Sequence, residues 1–155
     1  KNSGTSHDVS WEYVSQETGA DVANINFKTD TYFYASINQY TGVALEQFNN
    51  MDGIAAADQE NVLPYYYIPH KSILNSSEGT LIFDLKPINF GGQSLAIYLR
   101  TEHTDTVTFS YSIDNGTTFT SLSEEVNTPC STTSLILRIT MSAGSEVKNI
   151  GLLVK

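Results

Sequence analysis

Four stretches in the second half of the chain place an apolar residue at every second position. These apolar residues are Leu81, Phe83 and Leu85; Leu95, Ile97 and Leu99; Val107, Phe109, Tyr111 and Ile113; and Leu135, Leu137, Ile139 and Met141. Successive side chains of a β-strand point to opposite faces, so this period places one set in a core and the other outside. The run 150–154 is apolar almost throughout, and we expect it to be buried on both faces.

Turn-forming residues separate these stretches at short intervals. They lie at 87–92, 102–105, 114–116, 127–132 and 142–145. Many short strands at such spacing are typical of a β-sandwich or jelly roll. A parallel sheet would need crossover connections of a dozen or more residues, and these intervals leave no room for them. The sequence therefore predicts an all-β fold, an antiparallel β-sandwich of jelly-roll type.

The first half of the chain is less regular. We expect strands at 9–14, 22–27 and 31–38, and one helix-friendly run at 54–60 that Asp52 could cap. Such a helix spans only two or three turns and is marginal alone. The prediction is therefore one short helix or long loop inserted into the sandwich.

The length of 155 residues is normal for one domain, and it needs no disulfide or metal for stability. Residues 1–8 have the character of a linker, so we expect a linker at 1–8 and a single β-sandwich domain at 9–155. The one cysteine, Cys130, excludes an intrachain disulfide. The chain is thus compatible with a reducing cytosol or with bacterial export. No histidine lies close to Cys130 in sequence, so nothing supports a nucleophilic thiol.

The charge balance narrows the classes of partner. Eight Lys and Arg against seventeen Asp and Glu give a formal charge of −9. Nucleic-acid affinity comes largely from basic residues that neutralise phosphates, so a nucleic-acid partner is not expected. An anionic membrane surface is disfavoured for the same reason, and no apolar run reaches the ~18 residues of a membrane helix.

One local motif stands out between two of the alternating stretches. Ser112, Asp114, Gly116, Thr118 and Phe119 fit the pattern Ser-x-Asp-x-Gly-x-Thr-aromatic, which resembles the Asp-box hairpin of sialidases and other carbohydrate-associated β-proteins. Its Asn-Gly pair supplies the positive φ angles of a tight turn. The Asp side chain is expected to accept hydrogen bonds from the turn, with the aromatic ring packed beneath it. We interpret these residues as a folding device rather than as a catalytic site.

The last third of the chain resembles the terminal β-sandwich domains of bacteriophage virion and tail proteins. The matching pieces are the hairpin at 107–119, the Ser/Thr turn at 130–134 and the apolar strands at 135–141 and 150–154. This resemblance implies a structural or host-attachment role, a virion or extracellular location, and assembly into a homo-oligomer such as a trimer or into a larger virion assembly.

Aromatic residues are the best candidates for ligand contact, because exposed rings stack on the apolar faces of sugars. The primary candidates are Trp11, Tyr65, Tyr66 and Tyr67, and the secondary ones are Tyr32, Tyr34 and Tyr40. We expect 65–68, between Pro64 and Pro69, to be an edge strand or an extended loop. In a strand, either Tyr66 or the Tyr65 and Tyr67 pair faces the core. The alternative is that most of these rings are buried with their hydroxyls at the rim.

Polar clusters point less clearly to chemistry. Glu102, His103 and Asp105 meet in one turn and could be a metal site, an acid/base pair or an ordinary polar loop. No nucleophile elbow, zinc-protease helix or phosphate loop is present. We therefore expect no cofactor, no metal and no catalytic residues.

The function that the sequence favours is a non-catalytic attachment or carbohydrate-binding module of a phage tail or virion appendage that recognises a surface glycan. A carbohydrate-binding module of a secreted bacterial polysaccharide-degrading enzyme is the first alternative. A purely structural virion or oligomerisation domain is the second, and a small glycan-active enzyme is the last.

Overall fold

The structure, a computed structural model, describes residues 25–26, 34–35 and 42–155. The strand predicted at 9–14 lies outside these residues. The strands predicted at 22–27 and 31–38 are described at Ile25–Asn26 (β1) and Tyr34–Ala35 (β2), which pair antiparallel. This pairing agrees with the prediction at the four positions described.

Residues 42–155 form short strands and two short helical elements. The strands are β3 Gly42–Glu46, β4 Tyr66–Tyr67, β5 Ser72–Leu74, β6 Leu81–Asp84, β7 Ile88–Asn89, β8 Ala96–Thr104, β9 Val107–Ser112, β10 Thr120–Leu122, β11 Thr128–Pro129, β12 Ser134–Met141 and β13 Glu146–Val154. The helical elements are α1 Gln59–Val62 and a 3₁₀ turn at Leu63–Tyr65.

Two antiparallel sheets form the sandwich. One has the order β10-β9-β12-β6, with β7 also paired to β12; the other has the order β11-β8-β13-β5-β4, with β3 also paired to β13. From β5 onward the chain changes sheet at nearly every connection, and only β6–β7 and the hairpin β9–β10 stay within one sheet. This alternation distributes consecutive strands over both layers. The predicted all-β fold class, an antiparallel β-sandwich, is confirmed.

The period-two alternation places the predicted residues in the core between the sheets. In β12 every second residue is buried, from Leu135 to Met141, and β6 follows the same rule. Two predictions of this pattern are wrong. Leu95 is 71% exposed because β8 begins only at the next residue, and Ile113 is 55% exposed because β9 ends at Ser112, where the chain turns.

The last strand is buried on both faces, as its composition predicted. Every residue from 150 to 154 is buried, and Leu153 is as inaccessible as its inward-facing neighbours. Strand β13 pairs with β8 on one side and with β3 and β5 on the other, which makes it the central strand of its sheet.

The predicted helix is present but shorter and later than expected. It begins at Gln59 after Asp58, and Asp52 does not cap it. The cause is an isolated backbone bridge of Ile54 to Leu85, which is followed by a turn at 56–58. The run therefore becomes helical only at Gln59, and α1 is the short insertion that the sequence predicted.

The motif 112–119 forms the turn between β9 and β10. Asn115 and Gly116 have φ angles of 56° and 84°. Asp114 Oδ1 accepts a hydrogen bond from the Thr118 backbone N–H at 2.9 Å, and the Thr118 hydroxyl donates to Oδ2 at 2.7 Å. These bonds, with one from the Ser112 hydroxyl, lower the pKa of Asp114 to about 2. The motif thus holds a rigid turn with its polar groups satisfied.

Phe119 anchors this hairpin to the sheet. Its ring lies 3.6 Å from the guanidinium carbon of Arg138, which in turn binds both carboxylate oxygens of Asp84 at 2.7 and 2.9 Å. An arginine held in a bidentate pair and stacked on a ring has few alternative positions. The hairpin, β12 and β6 are therefore joined on the outer face of their sheet.

Candidate functional site

The three consecutive tyrosines do not form one strand, so the condition under which Tyr65 and Tyr67 would share a face is not met. Tyr65 ends the 3₁₀ turn and packs against the core. Tyr66 is paired with Ile73, which is fully buried, and directly opposed residues of antiparallel strands point to the same side. Tyr66 therefore points inward, and its hydroxyl donates to the Phe48 and Asn49 carbonyls at 2.9 and 3.0 Å.

Tyr67 is the one member of the run that faces solvent. It is paired with Ser72 on the outer face of the sheet, and 37% of it is exposed. The other aromatic candidates receive no structural account: Trp11, Tyr32 and Tyr40 lie outside the described residues, and only the strand position of Tyr34 is described. Tyr67 is thus the predicted ligand-facing residue whose ring the structure places at the surface.

A group of polar side chains surrounds Tyr67, and we call Tyr67, His70, Ser72, Glu146 and Lys148 the Tyr67 surface. The Tyr67 and His70 rings meet edge to face with centroids 4.7 Å apart. His70 Nδ1 lies 2.9 Å from Glu146 Oε1, and the Ser72 hydroxyl donates to the same oxygen. Strands β4, β5 and β13 lie side by side here, so the sheet itself brings these residues together.

Glu146 is the buried centre of this surface. Only 11% of its side chain is exposed, whereas 52% of the His70 side chain is. Burial acts to raise the pKa of Glu146, but the hydrogen bonds from Ser72 and His70 outweigh it, and the pKa lies below its usual value. The carboxylate is therefore held in its charged form by neighbours that fix its position.

The polar surface continues along β13 and β8. Lys148 Nζ lies 3.8 Å from Glu102 Oε1, and the Asn149 side-chain amide donates to Glu102 Oε2 at 2.7 Å. The result is an exposed aromatic ring beside fixed carboxylates, an ammonium and an amide. Such a set offers both donors and acceptors to a ligand that carries hydroxyls.

The hydrogen-bonded groups of the Tyr67 surface are arranged in a different order from those of a catalytic triad. In a triad the imidazole lies between the hydroxyl and the carboxylate, so that it can take the hydroxyl proton. Here the Ser72 hydroxyl and the His70 imidazole both bind Glu146, and the carboxylate is in the middle. This arrangement fixes side chains but does not activate Ser72 as a nucleophile.

Glu102, His103 and Asp105 do not converge on one site. Neighbours on a strand point to opposite faces, so Glu102 binds Asn149 on the outer face while His103 faces inward. His103 Nε2 lies 3.0 Å from Glu124 Oε2, and the Thr101 hydroxyl donates to the other oxygen. Asp105 occupies the following turn with a φ of 55°. The metal-site and acid/base interpretations of this cluster therefore lose their geometric basis.

The potential metal ligands and the thiol in the described part of the chain form no metal or nucleophile site. Among residues 25–26, 34–35 and 42–155, no group of three or more His, Cys, Asp or Glu could hold a metal ion. Cys130 is buried, and burial raises the pKa of its thiol, so the reactive thiolate is disfavoured. No helix in the described part of the chain is long and apolar enough to cross a membrane.

Comparisons with protein-family models, with curated proteins and with solved structures found no match to this chain.

Sequence reasoning missed most of the Tyr67 surface. Glu146 lies 74 positions from Ser72 and 76 positions from His70, the two residues to which it is hydrogen-bonded. One signal was present: Glu146 and Lys148 alternate with Val147 at the start of an apolar strand. That spacing places both polar residues on one face, but it does not say what lies beside them.

We expect acid to destabilise the protein partly through Glu146. Its folded pKa is below the ordinary 4.5, so its contribution is complete above that pH and is lost as the pH falls through the folded pKa. Urea unfolding of Glu146→Gln should show a shallower loss of stability between pH 6 and pH 3 than the native chain shows.

The matched control is Glu46→Gln. Burial raises the pKa of Glu46, so its titration favours the folded state as the pH falls. Removing that carboxyl should make the free energy of unfolding fall more steeply as the pH is lowered. This is the opposite of the effect expected for Glu146→Gln. An equal pH dependence of the free energy of unfolding in the native chain and in Glu146→Gln would contradict the contribution assigned to Glu146.

Proposed function

We propose that this protein is a non-catalytic recognition module that binds a neutral surface glycan at the Tyr67 surface. The exposed Tyr67 ring beside fixed polar groups is the observation that supports the proposal. The apolar face of a sugar ring stacks on the aromatic ring, and the sugar hydroxyls bind the carboxylates and amide along β13 and β8. The formal charge of −9 favours a neutral glycan over an acidic one.

The proposed setting is a phage tail or virion appendage, in which the module attaches a larger assembly to a cell surface. The support is the two-sheet antiparallel sandwich together with the resemblance of the last third of the chain to virion sandwich domains. A carbohydrate-binding module of a secreted polysaccharide-degrading enzyme would use the same surface. The parent protein distinguishes these two settings, whereas the binding chemistry is shared.

Tyr67→Ala is expected to weaken glycan binding about tenfold or more, because the stacking ring is lost. The measurement is a screen of neutral glycans and bacterial polysaccharides on an array, followed by titration of the best ligand. The matched control is Tyr66→Phe, whose ring faces inward and which loses only the hydroxyl bonds to Phe48 and Asn49.

The control variant should bind as the native chain does. Equal binding by Tyr67→Ala and the native chain would place the ligand elsewhere. Failure of the native chain to bind any glycan at high concentration would overturn the proposed function.

A structural or oligomerisation role is the second candidate, and two exposed apolar side chains near Tyr67 in sequence favour it. Leu63 is 61% exposed and Ile68 is 73% exposed. Exposed apolar patches are common at subunit contacts. Sedimentation of the native chain and of Ile68→Asp tests this role: a native oligomer that dissociates in the variant supports it, and a native monomer contradicts it.

A further inference from the structure

A groove of about 200 Å³ opens at the edge of the sandwich. None of the residues of the Tyr67 surface lines it. Strands β3 and β13 form one wall, and the segment 85–88 of the opposite sheet forms the other. We call it the Glu46 groove. The apolar residues that line it are Ala44, Leu45, Leu85, Pro87, Ile88, Ile150 and Leu152.

The register of β3 against β13 explains why a groove exists here. Ala44 is paired with Leu152, and Glu46 with Ile150, so these four side chains point to the same side. A small residue and a polar one thus stand where the fully packed strands carry large apolar groups. Ile150 and Leu152 of β13 are buried at the floor of the groove, and Ala44, Pro87 and Ile88 border its open side.

The Glu46 carboxylate borders the groove in a fixed position. Its Oε1 accepts a hydrogen bond from the Phe48 N–H at 2.6 Å. Its Oε2 lies above Gly53, where a Cβ would be only 1.5 Å away. Glycine at this position is therefore required for the carboxylate to sit where it does.

The charges around Glu46 leave an excess of negative charge. Asp52 and Lys86 both act on the carboxyl through their fields, and the Tyr66 hydroxyl is near enough to feel the Glu46 charge in turn. Two carboxylates thus face one ammonium. Burial raises the pKa of Glu46, which shows that these neighbours stabilise its charge incompletely.

We propose that the Glu46 groove binds a small molecule that carries a protonated primary amine on a short apolar chain. The apolar walls take the chain, and Glu46 takes the ammonium. The excess negative charge excludes an anionic ligand. A volume of 200 Å³ is below the ~300–1,000 Å³ of sites for drug-sized molecules, so the ligand is short. This inference is independent of glycan recognition.

The test is a titration of the full chain with n-butylammonium chloride, followed by amide chemical shifts in NMR. We expect saturable shifts at Ala44, Gly53 and Ile150. The matched probes are 1-butanol, which keeps the chain without the charge, and butyrate, which reverses the charge. Both should bind about tenfold more weakly or not at all, because a charge-assisted hydrogen bond is lost.

Two variants with opposite expected effects separate binding from structural damage. Glu46→Gln keeps an acceptor for the Phe48 N–H and should weaken butylammonium binding about tenfold. Lys86→Met removes the competing ammonium and should strengthen binding, which a damaged fold would not do. Tyr67→Ala should leave butylammonium binding unchanged, so the two proposals fail or succeed separately.

Three results would overturn the proposal. The first is equal binding of 1-butanol and butylammonium, which would make the groove an apolar surface without a role for Glu46. The second is the absence of saturable shifts at the groove residues. The third is unchanged butylammonium affinity in Glu46→Gln.

Discussion

Replacing Phe48 by alanine is expected to lower the free energy of unfolding by about 4 kcal/mol. Phe48 is fully buried and meets Phe83 edge to face, with ring centroids 6.4 Å apart at 72°. Alanine would leave a cavity between the sheets that the packed strands cannot close. Urea denaturation at neutral pH measures the loss.

The comparison with glycine makes this prediction specific. Phe48 has a φ of 47°, a conformation that side chains with a Cβ adopt at a cost. Bonds from Glu46 and Tyr66 to its backbone hold that conformation. Phe48→Gly should therefore be at least as stable as Phe48→Ala, since glycine adopts a positive φ without strain.

Phe83 provides the matched control in a regular strand. There, Phe83→Gly should be less stable than Phe83→Ala by about 1 kcal/mol, because glycine loses more backbone entropy on folding. A lower stability of Phe48→Gly than of Phe48→Ala, by the same margin as at Phe83, would show that the positive φ of Phe48 carries no strain.

Replacing Asn75 by alanine is expected to lower the free energy of unfolding by about 3 kcal/mol. Asn75 is fully buried, and its amide group donates to the Gly79, Met141 and Ser142 carbonyls at 2.8, 3.1 and 3.0 Å. Its side-chain oxygen accepts from the Ser77 hydroxyl at 2.7 Å. Alanine would remove this shared donor and the acceptor of the Ser77 hydroxyl, whereas the Ser142 carbonyl would keep its bonds from the Ser145 N–H and hydroxyl.

Asn75→Asp should be more damaging than the alanine variant at neutral pH. A carboxylate in this position would face three carbonyl oxygens and would have no hydrogen to donate. Thermal unfolding of both variants checks this order. The control is Ser76→Ala, an exposed neighbour that should change stability by less than about 0.5 kcal/mol. An aspartate variant as stable as the alanine variant would indicate that water enters the site.

The burial of Asn75 and its hydrogen-bond partners could not be predicted from the sequence. It lies in a Ser-rich stretch between two strands, where an asparagine is usually an exposed turn residue. Its partners Met141 and Ser142 are 66 and 67 positions away. The connection β12–β13 folds onto this loop only in the finished sandwich, so the burial of Asn75 depends on tertiary structure.

The candidate site was predicted only in part. The aromatic run between its flanking prolines contains one residue of the candidate site, Tyr67, which is exposed on the edge strand β4. The sequence left open which tyrosines face the core. The pairing of Tyr66 with Ile73 decided it, and the 3₁₀ turn removed Tyr65 from the strand.

The sequence by itself determined the class of fold and most of the core. A side chain alternates sides at every residue of a strand, so Leu135 to Met141 could be assigned to one face without knowledge of any partner. The Asn-Gly turn at 115–116 was equally local, since its φ angles depend on those residues alone.

Only the tertiary structure decided the strand order, the late start of α1 and the membership of both candidate sites. Each of these depends on which strands become neighbours. Glu146 meets Ser72 because β13 pairs with β5, and Glu46 borders a groove because β3 pairs with β13 across from 85–88. Periodicity fixes the face of a strand on which a residue lies, but the neighbours on that face come from distant parts of the chain.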